Sequence, residues 1–369
     1  MDNNVTKSEA KFFRPRYEKA LSARENAQHI AFAPIVFQAT RVLRDSGILE
    51  AIAYSGQLGL SLEEIVKNVK LPLYGVRVLL ESGLSIGLVS IQNEKYFITK
   101  TGHFILYDEL TKANMDFVHD VCYLGLYNLD KSIETGKPEG LKVLGEWSTI
   151  YEGLSQLPTQ IQKSWFAFDH YYSDDAFPDA LEAVFAKSPQ RLLDVGGNTG
   201  KWAIHCTNYS PNIEVTIMDL PGQLSIAKEK INDLKLSNRV SFHQVNILDE
   251  TQSFPKGHDA IWMSQFLDCF SEDEITSICK RCFDVLEEDG HLFIMEPFWD
   301  RQKYEVGAFC LQQTSLYFTA IANGNSQMYN SKIFIRCIEA AGFEIIEEND
   351  EIGLSHTLLI AKKKINPLI

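Results

Sequence analysis

Two acidic side chains stand at the ends of short apolar runs, and glycines follow the first of them. Arg191-Leu192-Leu193 leads into Asp194-Val195-Gly196-Gly197-Asn198-Thr199-Gly200, and Ile213 to Met218 leads into Asp219-Leu220-Pro221-Gly222. Glycine lets a chain turn tightly and lie close to a ligand that any side chain would exclude. Dinucleotide sites use such a turn too, so the glycines alone do not choose a ligand. The acid before them does: a carboxylate at Asp194 repels a pyrophosphate and suits an amino group. Asp219, at the end of the next run, can accept both hydroxyls of a ribose. After a third run, Asn246 can hydrogen-bond an exocyclic amine and Ile247 can cover the face of an adenine ring. Taken singly, Asp194 could cap a helix, and Asp219 or Asn246 could form a turn. At the ends of adjacent strands they describe a ligand with adenosine at one end and an amino acid at the other. S-adenosylmethionine has that constitution.

The surrounding pattern supplies the scaffold. From Arg191 onward, short apolar runs alternate with helical stretches: RLLDVGG, IEVTIMDL, VSFHQVNIL, HDAIWMSQFLD and GHLFIMEP, then GFEIIEEN and SHTLLIAKKK. Strands separated by helices imply a mainly parallel sheet covered on both faces. The last two runs, joined by a short polar loop, should pair antiparallel at the edge. The expected fold is therefore α/β, a doubly wound and mainly parallel seven-stranded sheet of Rossmann-like type. Upstream, Ala33 to Ser46 has helical spacing and Gly47-Ile48-Leu49 ends it. Ser61-Leu62-Glu63-Glu64 reads as a capping box, and Tyr74 to Gly83 as a further helix. Gly87 to Ile91 and Tyr96 to Thr99, around a turn at Gln92-Asn93-Glu94, form a hairpin. These elements predict an N-terminal helical domain of winged-helix type, suited to dimerisation, over residues 1–105. A helical linker with many aromatics follows over 106–187, and the ligand-binding domain covers 188–369.

Composition narrows the function. The chain has 369 residues, 45% hydrophobic and 23% charged, as in ordinary globular proteins. Its net charge of −14 argues against nucleic acid as a partner, because phosphate binding needs a basic field. The helix LPLYGVRVLLESG offers one arginine and much apolar surface, which suits packing against a second subunit better than DNA. Lys362 to Lys364 reads as the solubilising flank of the last strand. No signal peptide and no membrane span is expected. Seven scattered cysteines suit reduced thiols in the cytoplasm. Cys279 and Cys282 lie in a helical stretch without a second pair or a histidine cluster, so no metal site is expected.

The sequence resembles the small-molecule O-methyltransferases typified by plant caffeate and chalcone enzymes and their bacterial relatives. The resemblance spans nearly the whole chain. It is carried by RVLLESGLSIGLVSIQNEKYFITKTG, SIETGKP, LLDVGGNTG, IMDLPGQ, DAIWMSQFLDCFSEDE, LFIMEP and AAGF. It implies S-adenosylmethionine as methyl donor, a small-molecule methyl acceptor and an intertwined homodimer. By motif, Gly196 and Asp219 match the family's glycine and ribose-binding acid. Asn246 and Ile247 stand at the adenine positions. Ser264 matches a position contacting the methionine end, and Ser173, in HYYSDD, resembles a serine lining the cofactor pocket. Gly197, Gly200 and Leu220 complete the predicted cofactor set with Asp194.

The catalytic motif departs from the family's. Relatives carry a histidine base before a tryptophan, in stretches such as LHDWSDE, and that histidine takes the acceptor's proton. Here the stretch is Leu267-Asp268-Cys269-Phe270-Ser271, with Asp268 in the histidine's place. One of two flanking glutamates remains as Glu296. The other falls near Met328, beside Gln327, and is missing. Three readings stay open. Asp268 is the base, with its pKa raised by burial and by Glu296. Alternatively, the acceptor is already acidic or is methylated on carbon, so that positioning supplies the rate. Or the protein binds the cofactor without ordinary methyl transfer, as a winged-helix sensor or an enzyme of other chemistry. His119 and His170 could supply a base from another direction. Tyr123, Tyr127, Trp165, Phe166, Phe168 and Tyr172 could line an apolar acceptor pocket or simply form core.

Overall fold

A computed structural model describes residues 18–364, apart from the side chains of Ser173 and Asp174. The chain divides into two compact units that meet between Val121 and Cys122.

In the first unit, helix Ala20–Asp45 runs through Pro34. The apolar spacing in the sequence begins only at Ala33, and Pro34 beside it would sit comfortably in a first turn, where its missing N–H has no intrahelical partner. The earlier turns escape a periodicity reading because they bury no apolar face: Leu21, Ile30 and Phe32 are all exposed. The helix stops at Ser46, and Gly47, with φ of 79°, reverses the chain in the left-handed region. Helices Ile48–Ser55, Leu62–Val69 and Leu73–Ser85 then close over Leu43, Leu49, Ile52, Ile65, Val76 and Leu80. The capping box forms as read: Ser61 Oγ accepts from the Glu64 amide at 3.3 Å, and Glu64 Oε2 accepts from the Ser61 amide at 2.7 Å. Strands β1 (Val89–Gln92) and β2 (Lys95–Ile98) pair antiparallel. Asn93 and Glu94 between them both have positive φ, the turn geometry that matches strand twist.

The second unit holds seven strands: β3 (Arg191–Val195), β4 (Glu214–Asp219), β5 (Val240–Gln244), β6 (His258–Ser264), β7 (Leu286–Glu296), β8 (Phe343–Ile352) and β9 (His356–Lys363). Their order is β5-β4-β3-β6-β7-β9-β8. The first five in that order are parallel, while β9 runs antiparallel to β7 and β8, as the sequence predicted. Parallel strands covered on both faces must be apolar throughout, which is why Leu192, Leu193, Ile261, Trp262 and Met263 are all buried. Helices Phe177–Phe185, Lys201–Tyr209 and Pro221–Asp233 cover one face, where Trp202 stacks on Trp262 at 3.8 Å. Helices Glu272–Val285 and Ser331–Ala340 cover the other. Cys279 and Cys282 point into that second core and carry no disulfide. The open edge, β8, carries Glu344, Glu347, Glu348 and Asp350, charges that discourage further strand pairing.

Strand order reverses between β3 and β6, because β3 feeds β4 on one side while β6 lies on the other. A crevice opens beyond the carboxyl ends of the strands at such a point. Asp194, Asp219 and Ser264 all come from those ends.

Candidate active site

The loop after β3 leaves no room for side chains at Gly196 and Gly197. Gly196 has φ of 72°, and a Cβ there would lie 2.3 Å from the Phe266 ring. A Cβ on Gly197 would lie 2.5 Å from Asp194 Oδ2. Gly200, with φ of 79°, starts helix Lys201–Tyr209. The loop therefore wraps Asp194, which is 2% exposed and whose Oδ2 has no hydrogen-bond partner. Burial, helped by nearby Asp219, pushes its pKa up to about 8. Asp194 caps no helix, so the turn-and-cap alternative does not account for it.

Asp219 ties the loop to the next strand. Its Oδ2 accepts from the Asn198 amide at 2.8 Å and its Oδ1 from the Leu220 amide at 2.6 Å. Burial raises its pKa, and those two amides pull the other way. Asn246 is exposed, and its Oδ1 accepts from the Leu248 amide at 3.2 Å, making a turn after β5. Ile247 is half-buried against the core. Leu220 is exposed at the head of helix Pro221–Asp233. Ser264, half-buried, ends β6 opposite Met295 of β7. Ser173 lies in helix Thr159–Asp174, but its side chain is outside the described residues.

After Ser264 the backbone turns through Gln265, with φ of 45°, and swings Phe266 over Gly196. The next turn, Leu267–Cys269, carries Asp268. Glu296, at the end of β7, holds this turn from below: its Oε1 accepts from the Phe266 amide at 3.0 Å and the Leu267 amide at 2.8 Å. Its Oε2 has no partner. Asp268 and Glu296 are 5% and 1% exposed. Two buried carboxyl groups side by side cannot both ionise cheaply. Burial raises both pKa values, most for Glu296, and the neighbouring Asp268 charge raises that of Glu296 further. Asp169 of helix Thr159–Asp174 adds a third acid facing Asp268. The site thus keeps a neutral carboxylic acid at Glu296 beside a carboxyl at Asp268 that titrates near neutrality.

Other expected residues are distributed unevenly. Trp165 donates its indole N–H to the Tyr317 hydroxyl at 2.8 Å, and the Phe168 and Tyr172 rings lie 5.1 Å apart. Phe166 stacks on His170, whose Nδ1 is 3.1 Å from Lys201 Nζ. Tyr127 is 90% exposed. Tyr123 is half-buried. His119 belongs to the other unit, 3.5 Å from Gln38. Met328, where a second glutamate was sought, is buried, and the neighbouring Tyr329 hydroxyl donates to the Phe270 carbonyl at 2.6 Å.

Residues 24–96 match a family described as a Dimerisation2-like domain, and residues 176–344 one described as the O-methyltransferase domain. Over residues 176–344 the chain belongs to the O-methyltransferase family. An L-tyrosine C(3)-methyltransferase of Streptomyces lavendulae is 23% identical over 95% of both chains. A norreticuline-7-O-methyltransferase of Papaver somniferum is 28% identical over 54% of this chain and 52% of its own. Among solved structures, the S-adenosylmethionine-dependent methyltransferase SibL in its apo form superposes with a TM-score of 0.70 at 22% identity, covering 91% of this chain and 98% of its own. An O-methyltransferase from neocarzinostatin biosynthesis, solved with S-adenosylmethionine and 2-hydroxy-5-methyl naphthoic acid, superposes at 0.65 with 18% identity, covering 89% and 95%.

As a member of this family the protein is an S-adenosylmethionine-dependent methyltransferase. The residues present fit that cofactor. A buried acid with an orphaned oxygen waits behind a loop that tolerates no Cβ, and a second acid stands at the neighbouring strand end. Three groups around Asp268 escaped the sequence reading: Asp169, Tyr151 and Cys269. Cys269 stood inside the quoted motif, and its place beside the substituted base was the available signal. Tyr151 and Asp169 reach the turn only through tertiary folding, and nothing local marks them.

Proposed function

We propose that this methyltransferase methylates a small hydroxylated aromatic molecule on oxygen, with Asp268 receiving the hydroxyl proton. The observation that carries the reading is Asp268 itself, buried in the base position, with a pKa pushed up to about 7 by burial and by nearby Asp169. An ordinary aspartate near 4 is a feeble base toward a phenol near 10, and a carboxyl near 7 is much better matched. S-adenosylmethionine supplies an electrophilic methyl group on a sulfonium. Asp194 would hold its amino group, Asp219 its ribose, and Gly196, Gly197 and Gly200 its close approach. Leu220, Asn246, Ile247, Ser264 and Ser173 complete the proposed cofactor set. Asp268 would receive the acceptor hydroxyl's proton as that oxygen takes the methyl group and the sulfonium–methyl bond breaks to leave a neutral thioether. Neutral Glu296 holds the turn and adds no second negative charge.

Carbon methylation is a second reading, favoured by the likeness to the L-tyrosine C(3)-methyltransferase along nearly the whole chain. A phenol losing its proton to Asp268 becomes nucleophilic at the ortho carbon as well as at oxygen. A panel of phenols, incubated with methyl-labelled cofactor and read by NMR of the products, distinguishes the two. Asp268→Asn should lower turnover at least about a hundredfold, with calorimetric affinity for S-adenosylhomocysteine nearly unchanged. Full turnover in that variant would remove Asp268 as the base.

The working unit in this reading is a cytoplasmic homodimer. Free cysteines and the Dimerisation2-like match support it. Ile30 and Phe32, 75% and 56% exposed on helix Ala20–Asp45, offer the apolar surface. Helix Leu73–Ser85 exposes Leu73, Tyr74 and Val78, which suits protein contact and not nucleic acid. Among the described residues no helix is long and apolar enough to cross a membrane. Phe32→Asp with Ile30→Asp should shift the sedimenting species from dimer to monomer; an unchanged dimer would place the interface elsewhere.

A further inference from the structure

Asp268 is flanked by two groups that the reaction as described does not use. Cys269 Sγ lies 3.4 Å from Asp268 Oδ1. The Tyr151 side chain, from helix Ile150–Gly153, hydrogen-bonds the same sulfur. A carboxylate only accepts, and a thiol has one proton to give. The thiol therefore donates to Asp268, and its sulfur accepts from the Tyr151 hydroxyl. The pKa shifts follow from that direction at each step. The Tyr151 contact lowers the thiol's pKa and the Asp268 contact raises it, while the thiol lowers that of Asp268.

We propose that Cys269, backed by Tyr151, is a positioning residue that holds the Asp268 carboxyl and supplies a hydrogen bond to its ionised form. This rests on the reading of Asp268 as the proton acceptor. Every other ionisable group facing Asp268 works against that form or is neutral. Asp169 comes from helix Thr159–Asp174, Glu296 from β7, and the Tyr329 phenol from the segment before helix Ser331–Ala340. Among the described residues, no lysine, arginine or histidine is one of the strongest influences on Asp268. Its ionised form is held by hydrogen bonds from Cys269 and from the amides of Asp268 and Cys269. The thiol and the phenol are the adjustable part, since the amides are fixed by the turn.

Infrared difference spectroscopy of the full chain tests this without any methyl acceptor. The titrating carboxyl band that Asp268→Asn removes reports the Asp268 midpoint, and the S–H stretch that Cys269→Ala removes reports the thiol. The S–H stretch should shift as Asp268 ionises and lose that shift in Asp268→Asn. Cys269→Ala should raise the Asp268 midpoint by about half a pH unit, and Cys269→Ser, which keeps a donor, should restore it. Tyr151→Phe should move the midpoint the same way by less, and add nothing once Cys269 is alanine. If Cys269→Ala does not fold, Cys269→Ser and Tyr151→Phe carry the test. An unmoved midpoint in Tyr151→Phe and Cys269→Ala, or an S–H stretch indifferent to Asp268→Asn, overturns the relay and leaves Asp268 as the base. If Asp268→Asn removes no carboxyl band titrating between about pH 5 and about pH 9, the proton-acceptor reading fails first, and the relay with it.

Discussion

Asp194 carries a consequence that reaches beyond its contacts. Its carboxyl is buried, lacks a partner for Oδ2, and has a pKa pushed up to about 8. Below that value it is mostly protonated in the cofactor-free protein. A ligand that presents an ammonium group favours the ionised form, so binding must expel the proton. Calorimetry at pH 7, in two buffers of different ionisation enthalpy, should show release of close to one proton (about 0.9) per cofactor. Affinity should rise with pH up to about 8 and level off above it. Asp194→Asn should remove most of the release. A wild-type enthalpy independent of the buffer would show that Asp194 does not meet the amino group. The sequence located this acid from its neighbours in the motif; its protonation state depends on a burial that no local pattern reports.

The loop and turn that frame the site make an element-scale comparison of two glycines. Gly196 has positive φ and would drive a Cβ into Phe266, whereas Gly222, within helix Pro221–Asp233, has nothing within 4 Å of a new Cβ. Gly196→Ala adds about 1–2 kcal/mol of left-handed strain and about 1–3 kcal/mol for displacing a packed ring. Gly222→Ala removes chain entropy from the unfolded state and should be neutral or stabilising by up to about 1 kcal/mol. Denaturant midpoints for the two variants check this, and equal midpoints would mean that Phe266 yields freely. The same elements show what was legible. The strands could be read because a parallel sheet buries both faces, whereas the turn at Asp268 is hidden in the run HDAIWMSQFLD, whose apolar residues continue past the end of β6 at Ser264. The start of helix Ala20–Asp45 could not be read, because its early turns bury nothing and Pro34 imitates a first turn. Nor could the meeting of Tyr151 with Cys269, since two residues distant in sequence leave no periodic trace.

At the scale of the whole unit, His356 is a pH-dependent weak point in the sheet. It opens β9, is 1% exposed, and neither ring nitrogen has a hydrogen-bond partner. Loss of hydration pushes its pKa down to about 4. Between that value and the ordinary 6.5, the unfolded chain binds a proton that the folded chain refuses. Stability from this residue is therefore complete above pH 6.5 and drains away as pH falls toward 4. At pH 4.5 the loss is on the order of 2–3 kcal/mol. Asp194 and Asp268 tilt the other way, because their raised pKa values make the folded state lose stability as pH climbs toward 7 or 8. A bare stability profile therefore mixes opposite slopes, and the histidine has to be isolated by difference. His356→Leu removes its titration and leaves the carboxyl groups in place. Unfolding of both proteins in denaturant at pH 7.5 and pH 4.5 gives two stability differences, from which terms at distant independent sites cancel. The variant should gain on the wild type by roughly 2–3 kcal/mol at the lower pH, whatever leucine does to packing at the higher one. The same difference at both pH values would mean that the folded protein accepts the proton on His356, which requires β9 to open locally while the rest of the sheet stays folded.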